Sequence, residues 1–107
     1  MRELHQQCCQ FMIHETMPRE SMAVRINSKG DRFFIILRGT VGVYLKAIFQ
    51  DERKRLNQLV YDKTLGPGDS FGELALIHDE NRRMASVQCL EDCDFAVLGK
   101  EDFQRIL

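Results

Sequence analysis

Apolar and polar side chains alternate along much of this chain, and this period of two limits its fold more than any other feature. The longest alternating stretch begins at residue 41 and resumes in phase after a charged segment. Its apolar members are Val41, Val43, Leu45, Ala47 and Phe49, then Leu59, Tyr61 and Leu65. Roughly eight short strands, separated by turns about every 8–12 residues, predict an antiparallel sandwich or barrel.

Three elements stand out among these short strands. Residues 41–65 predict a long β-hairpin whose apolar side chains share one face and whose tip, residues 50–55, is charged and solvated. Residues 71–77 predict a short interior helix. A C-terminal helix is predicted over residues 100–107, with its apolar side chains on one face.

Length and charge narrow the function. A chain of 107 residues suits a single domain, residues 1–107. Its 15 basic and 16 acidic side chains leave a net charge of −1. Because a protein that wraps nucleic acid needs an excess of basic side chains, we expect no direct nucleic-acid contact. We also expect no transmembrane segment and a cytoplasmic location, because no run of about 18 apolar residues and no apolar signal-peptide core is present.

The cysteine and histidine residues match no familiar metal motif. Cys8 and Cys9 are adjacent, Cys89 and Cys93 are separated by three residues, and the three histidines are scattered. Zinc sites usually have two C-x2-C pairs or such a pair with histidines, so we expect no metal and reduced cysteines. No nucleophile–base pair or catalytic carboxylate pair is recognisable either. The sequence therefore favours a function that is not enzymatic and needs no cofactor.

The segment around the interior helix carries the most chemical information. The N-terminus of a helix offers unpaired amides and a partial positive charge, which suit an anion. Gly72 has no side chain, so a phosphate can approach the backbone there. Glu73 would repel that phosphate unless it binds another group, such as a ribose hydroxyl. The guanidinium of Arg83 can pair with phosphate oxygens, so these residue types together suit a ribose phosphate of low charge.

The same spacing also has a purely structural interpretation. Ser70-x-x-Glu73 before an apolar run is a capping box, in which the Glu73 carboxylate accepts a hydrogen bond from a backbone amide and binds no ligand. On residue spacing alone, both interpretations stay open.

Two separated segments carry a recognisable pattern. They are Gly30-Asp31-x-Phe33-Phe34-x-Ile36-x-x-Gly39-x-Val41 and Phe71-Gly72-Glu73-Leu74-Ala75-Leu76, the latter followed by Arg83-Met84-Ala85-Ser86. The first resembles the glycine motif, and the second the phosphate-binding cassette (residues 71–86), of the cyclic nucleotide-binding domain family. The resemblance implies a mainly β fold, an eight-stranded antiparallel β-roll of the jelly-roll type with a short cassette helix and a C-terminal helix.

The resemblance also implies how the cassette would hold its ligand, cAMP or cGMP. Gly72 and Ala75 would offer backbone amides near the cyclic phosphate. Glu73 would bind the ribose 2′-hydroxyl, and Arg83 would neutralise the phosphate. These roles agree with those inferred from the residue types.

The remaining cassette positions have smaller implied roles. Leu74 would pack the cassette into the roll, and Met84 and Ala85 would line the phosphate side. Arg82 is a rival phosphate partner, since it occupies a position where many eukaryotic members have proline. Ser86 is a further candidate, because on a strand it shares a face with Met84.

The base preference and the output rest on the end of the cassette and the end of the chain. Family members that favour cGMP usually have a threonine after the arginine; Met84 has no hydroxyl, so we expect cAMP to be favoured over cGMP. The family's lid helix would follow residue 107, so we expect a larger protein whose effector lies outside this chain. The alternative is a degenerate roll that binds no nucleotide and mediates protein contacts. Met84 would suit this alternative, and so would the loop between Leu76 and Arg83, which is longer than in kinase regulatory subunits.

Overall fold

Eight strands and one helix form the described part of the chain. A computed structural model describes residues 12–26, 30, 32–50, 55–72 and 85–106. The strands are β1 (Ile13–Met17), β2 (Met22–Val24), β3 (Arg32–Arg38), β4 (Val41–Gln50), β5 (Arg55–Leu65), β6 (Ser70–Phe71), β7 (Ala85–Cys89) and β8 (Cys93–Gly99), and the helix is α1 (Lys100–Ile106).

The strands form two antiparallel sheets of four strands each. Sheet 1 has the order β1-β8-β3-β6, and sheet 2 has the order β2-β7-β4-β5. This arrangement confirms the predicted mainly β, eight-stranded antiparallel fold. In sheet 2, β4 and β5 pair from Val41 opposite Leu65 to Gln50 opposite Arg55, so they form a long hairpin.

The prediction that the apolar side chains of this hairpin share one face is wrong beyond the base of the hairpin. Val43 lies opposite Lys63, but the next residue of β4, Tyr44, lies opposite Tyr61, so β5 has one extra residue, Asp62, at this point. Such a bulge reverses which face the later side chains occupy. Tyr61 therefore lies on the opposite face of the sheet from Val43, and it is 56% exposed.

Three phenylalanines in mutual ring contact lie in the core of the sandwich. Phe34 on β3 and Phe95 on β8 are fully buried, and Phe71 on β6 packs against them. The Phe34 ring stacks on Phe71 at 4.8 Å between ring centroids, and Phe95 meets both rings edge-on at 5.6 and 5.8 Å. The prediction that the interior helix begins at Phe71 is wrong, because Phe71 pairs with Phe34 as part of β6. Gly72 is not helical either, and residues 73–77 of that predicted helix lie outside the described residues.

A tight turn between β5 and β6 fixes where the cassette begins. Pro67 and Gly68 occupy its corner, Gly68 has a φ of 92°, and the amide of Asp69 donates to the carbonyl of Gly66 at 3.0 Å. These are the marks of a type II turn. Gly68 also donates to the carbonyl of Ile36 at 2.8 Å, and Ile36 donates to Asp69 at 2.9 Å. The turn is thereby held against β3, just before the cassette.

The Asp94 carboxylate joins three strands on the outer face of sheet 1. It accepts hydrogen bonds from the Thr16 hydroxyl at 2.7 Å, from the His14 ring at 3.1 Å, and from the Arg38 guanidinium. The Thr16 hydrogen bond, followed by the hydrogen bonds and charge of Arg38 and the His14 hydrogen bond, lowers the pKa of Asp94 below its ordinary value of 3.8. The ionised carboxylate is therefore the form that ties β1 and β3 to β8.

We expect Asp94→Asn to lower stability at neutral pH and to have little effect in acid. Because folding lowers the pKa of Asp94, its contribution is present above pH 3.8, its ordinary pKa, and is lost as the pH falls below that value. The measurement is the urea midpoint of both chains between pH 7 and pH 3. Asp62→Asn, which changes an exposed aspartate on sheet 2, is the matched control, and an undiminished Asp94→Asn effect at pH 3 would contradict the assignment.

Candidate functional site

The described part of the predicted site consists of the two ends of the cassette. Gly72 follows β6, and Ala85 and Ser86 begin β7. The other candidates lie outside the described residues, so their roles stay predictions; they are Glu73, Leu74, Ala75, Arg82, Arg83 and Met84.

Gly72 occupies a backbone conformation that other residues rarely adopt. Its φ is 89°, in the region where a side chain is strained and glycine is not. Its neighbour Phe71 is anchored by stacking on Phe34. The backbone directly after the anchored Phe71 therefore needs a glycine to adopt this φ without strain. This conformational requirement explains the glycine in addition to the close approach inferred from the sequence.

Ala85, at the other end of the cassette, lies on the inner face of sheet 2. It packs against the core and lies directly opposite Leu45, which in turn lies opposite Val60. Directly paired residues of a β-ladder point to the same face. Leu45 and Val60 therefore face inwards, yet they are 42% and 41% exposed.

We call Leu45, Val60 and Ala85 the inner shelf. An exposed apolar surface inside a sandwich, beside the end of the cassette, suits the flat face of a base or sugar. Sequence reasoning did not single out Leu45 or Val60 as functional. The signal was present in the alternation of β4, but the position of Val60 depends on the bulge at Asp62.

Ser86 lies on the opposite face from the inner shelf. Its side chain is 2% exposed, and its hydroxyl oxygen accepts a hydrogen bond from the amide of Ile26 at 2.9 Å. Strand alternation places it away from Ala85 and Val87, which pack against or within the core. The hydroxyl thus has a structural partner, and its role in ligand binding stays a prediction.

Neither a cluster of metal ligands nor a membrane-spanning helix is present in the described ranges. They contain no group of three or more His, Cys, Asp or Glu side chains that could hold a metal ion. None of the helices in these ranges is long and apolar enough to cross a membrane. Cys89 and Cys93 are free and buried, whereas Cys8 and Cys9 lie outside the described residues.

Comparison with known proteins identifies the family. Residues 14–107 match the model of the cyclic nucleotide-binding domain. The cAMP-dependent protein kinase regulatory subunit of Eremothecium gossypii is 37% identical over 84 residues, which cover 78% of this chain and 16% of that protein. The cGMP-dependent protein kinase, isozyme 2 forms cD5/T2, of Drosophila melanogaster is 34% identical over 91 residues, covering 83% of this chain and 9% of that protein.

A solved structure gives the same result. The regulatory domain of Toxoplasma gondii PKA, crystallised with cAMP, superposes with a TM-score of 0.80 at 26% identity and covers 99% of this chain and 38% of that one. The present chain spans only a small part of the curated relatives' length. These findings confirm the resemblance carried by the two sequence motifs, and the chain belongs to the cyclic nucleotide-binding domain family.

Proposed function

We propose that this domain binds cAMP in preference to cGMP and passes the binding signal to an effector outside the chain. The observation that carries the proposal is the cassette itself. Gly72, Glu73 and Arg83 stand in the family's order, and Ala85, near the C-terminal end of the cassette, belongs to the inner shelf. An anion site beside an exposed apolar surface matches a ligand with one phosphate and one base.

The binding chemistry divides between the cassette and the shelf. Amides near Gly72 and the Arg83 guanidinium would share the single negative charge of the cyclic phosphate. Glu73 would accept a hydrogen bond from the ribose 2′-hydroxyl. The shelf would cover apolar surface of the base and sugar. A chain with a net charge of −1 needs no basic surface for such a ligand, because one guanidinium and a helix end suffice.

The preference for cAMP rests on Met84. Its thioether cannot donate the hydrogen bond by which a hydroxyl at this position would favour guanine. The relatives include both cAMP-dependent and cGMP-dependent kinases, so family membership alone does not choose between the bases. Competitive calorimetry with the two nucleotides tests the preference directly, and equal affinities would remove it.

Replacing Arg83 with alanine is expected to weaken cAMP binding by roughly 10- to 150-fold. A charge-assisted hydrogen bond of about 1.5–3 kcal/mol is lost, and each 1.4 kcal/mol corresponds to about a factor of ten in the dissociation constant. Isothermal calorimetry on the full chain gives the value. Arg82→Ala is the matched control and should change affinity little. If Arg82→Ala causes the larger loss, the register assigned to the cassette is wrong.

A sugar analogue separates the two interpretations of Glu73. If Glu73 binds the ribose, 2′-deoxy-cAMP should bind several-fold more weakly than cAMP, because the carboxylate loses its hydroxyl partner. In the Glu73→Ala variant the two nucleotides should then bind equally. A capping-box role predicts equal affinities in both chains, so the four titrations decide between a ligand contact and a helix cap.

A continuous series of packed groups connects the cassette to α1. Gly72 follows Phe71, whose ring stacks on Phe34. Phe34 lies opposite Val97 on β8, and β8 runs directly into α1 at Lys100. We infer that a ligand-induced change at Gly72 shifts the position of α1 through these contacts, without catalysis and without a cofactor. This fits relatives that are kinase regulatory subunits.

A second candidate is a roll that mediates protein contacts and binds no nucleotide. The observation that favours it is the exposure of Leu59 and Tyr61, 45% and 56%, on the outer face of the β5 edge strand. Leu59→Ser and Tyr61→Ser should then abolish capture of a partner, while titration with cAMP gives no heat even at millimolar concentration. Saturable cAMP binding would reject this candidate.

A further inference from the structure

Two cysteines face each other where the two sheets join. Cys89 is the last residue of β7 in sheet 2, and Cys93 is the first residue of β8 in sheet 1. Only residues 90–92 connect them. Both are free, both belong to the same core cluster, and they are 1% and 0% exposed. Nothing in the proposed function uses either thiol.

Contacts with the β3–β4 connection hold both cysteines in place. The carbonyl of Thr40 accepts a hydrogen bond from the Leu90 amide at 2.9 Å and from the Cys93 thiol at 3.3 Å. The next residue, Val41, lies directly opposite Cys89 in sheet 2. The Cys93 thiol is therefore bonded to Thr40, and Cys89 is paired with the next residue, so both cysteines lie beside the same short segment of backbone.

The two thiols also affect each other's ionisation. Burial, and then the neighbouring Cys93, raises the pKa of Cys89 to about 12. Burial likewise raises the pKa of Cys93. Because the thiolate is the reactive form, both groups stay as thiols while the turn is closed. Reaction with an oxidant requires opening of residues 90–92, and all three of these residues are exposed.

We propose that Cys89 and Cys93 are a dithiol modification site. A small disulfide such as oxidised glutathione converts the two thiols into a disulfide bond that links the two sheets. One cysteine thiolate attacks the glutathione disulfide and releases one glutathione thiolate. The second cysteine thiolate then attacks the resulting mixed disulfide and releases a second glutathione thiolate. The two protein thiols lose two electrons, the glutathione disulfide gains them, and the two protons end on the two released glutathione molecules.

The test compares bond formation in the folded and unfolded chain. Cys8 and Cys9 are first replaced by serine, so that only the pair remains. The chain is then equilibrated with a glutathione redox buffer, once in native buffer and once in guanidinium chloride, and analysed by intact mass. The proposal predicts a species lighter by about 2 Da, and a ratio of this species to glutathione adducts at least roughly tenfold higher in native buffer.

Two further measurements keep the test decisive. Peptide mapping of the unaltered chain should place the bond between residues 89 and 93, which removes any dependence on the serine substitutions. The oxidised chain should also unfold at a higher temperature than the reduced chain, since the cross-link restricts the unfolded state. Glutathione adducts as the main product in native buffer, or a ratio no higher than in guanidinium chloride, would overturn the proposal. The chain with the further substitution Cys93→Ser is the control and should yield adducts alone.

Discussion

Replacing Gly39 with alanine is expected to destabilise the fold by roughly 2–5 kcal/mol, the sum of a backbone and a steric cost. Gly39 has a φ of 93°, which a residue with a side chain rarely adopts. A methyl group there would lie 2.6 Å from the Asp92 carbonyl oxygen and 2.7 Å from the Cys93 sulfur. The carbonyl belongs to the backbone of the β7–β8 turn, so it cannot rotate away. Urea unfolding of both chains measures the loss.

Gly68 provides a matched control for this prediction. Its φ is 92°, almost the same as that of Gly39, but a methyl group there would meet no atom within 4 Å. Gly68→Ala should therefore cost only the backbone term, roughly 1–2 kcal/mol. The difference between the two variants isolates the steric contact with the turn. Equal losses would show that the contact relaxes without cost.

The sequence predicted the architecture well because alternation is a local signal. The strands around Val41 and Phe95 alternate in the sequence as they do in the sheets, and the turn at Gly66–Asp69 follows from its proline and glycines. Alternation gave the wrong face for the side chains that lie beyond one extra strand residue. Asp62 is an ordinary exposed strand residue by sequence, and only its register against β4 shows that it is the bulge.

The candidate site shows the same limit. The family pattern singles out Gly72 and Ala85 as candidates without reference to any long-range contact, and their part in ligand binding stays a prediction. The inner shelf could not be predicted, because placing Val60 opposite Leu45 requires the pairing of β4 with β5 beyond the bulge. The sequence around Phe71 predicts a helix, because its neighbours favour one. Its pairing and stacking with Phe34, 37 residues earlier in the chain, override that local preference.

Replacing Phe34 with alanine is expected to cost about 3–5 kcal/mol, which is a large part of the roughly 5–15 kcal/mol that stabilises a typical domain. Phe34 is 0% exposed, so its removal leaves a cavity that the antiparallel ladder on both sides cannot close. It also ends the stacked contact with Phe71 and the edge contact with Phe95, each of which contributes beyond area burial. Urea unfolding followed by circular dichroism measures the loss.

A variant on the same strand separates this effect from the loss of an exposed apolar side chain. Leu37, three residues further along β3, is 52% exposed, so Leu37→Ala should change stability by about 0.5 kcal/mol or less. Phe34→Leu should fall between the two, because leucine refills part of the cavity but offers no ring for Phe71 to stack on. Since Phe71 directly precedes Gly72, the order of these three variants in cAMP affinity should follow their order in stability. A Phe34→Ala chain that binds cAMP normally would show that the cassette is positioned independently of the aromatic core.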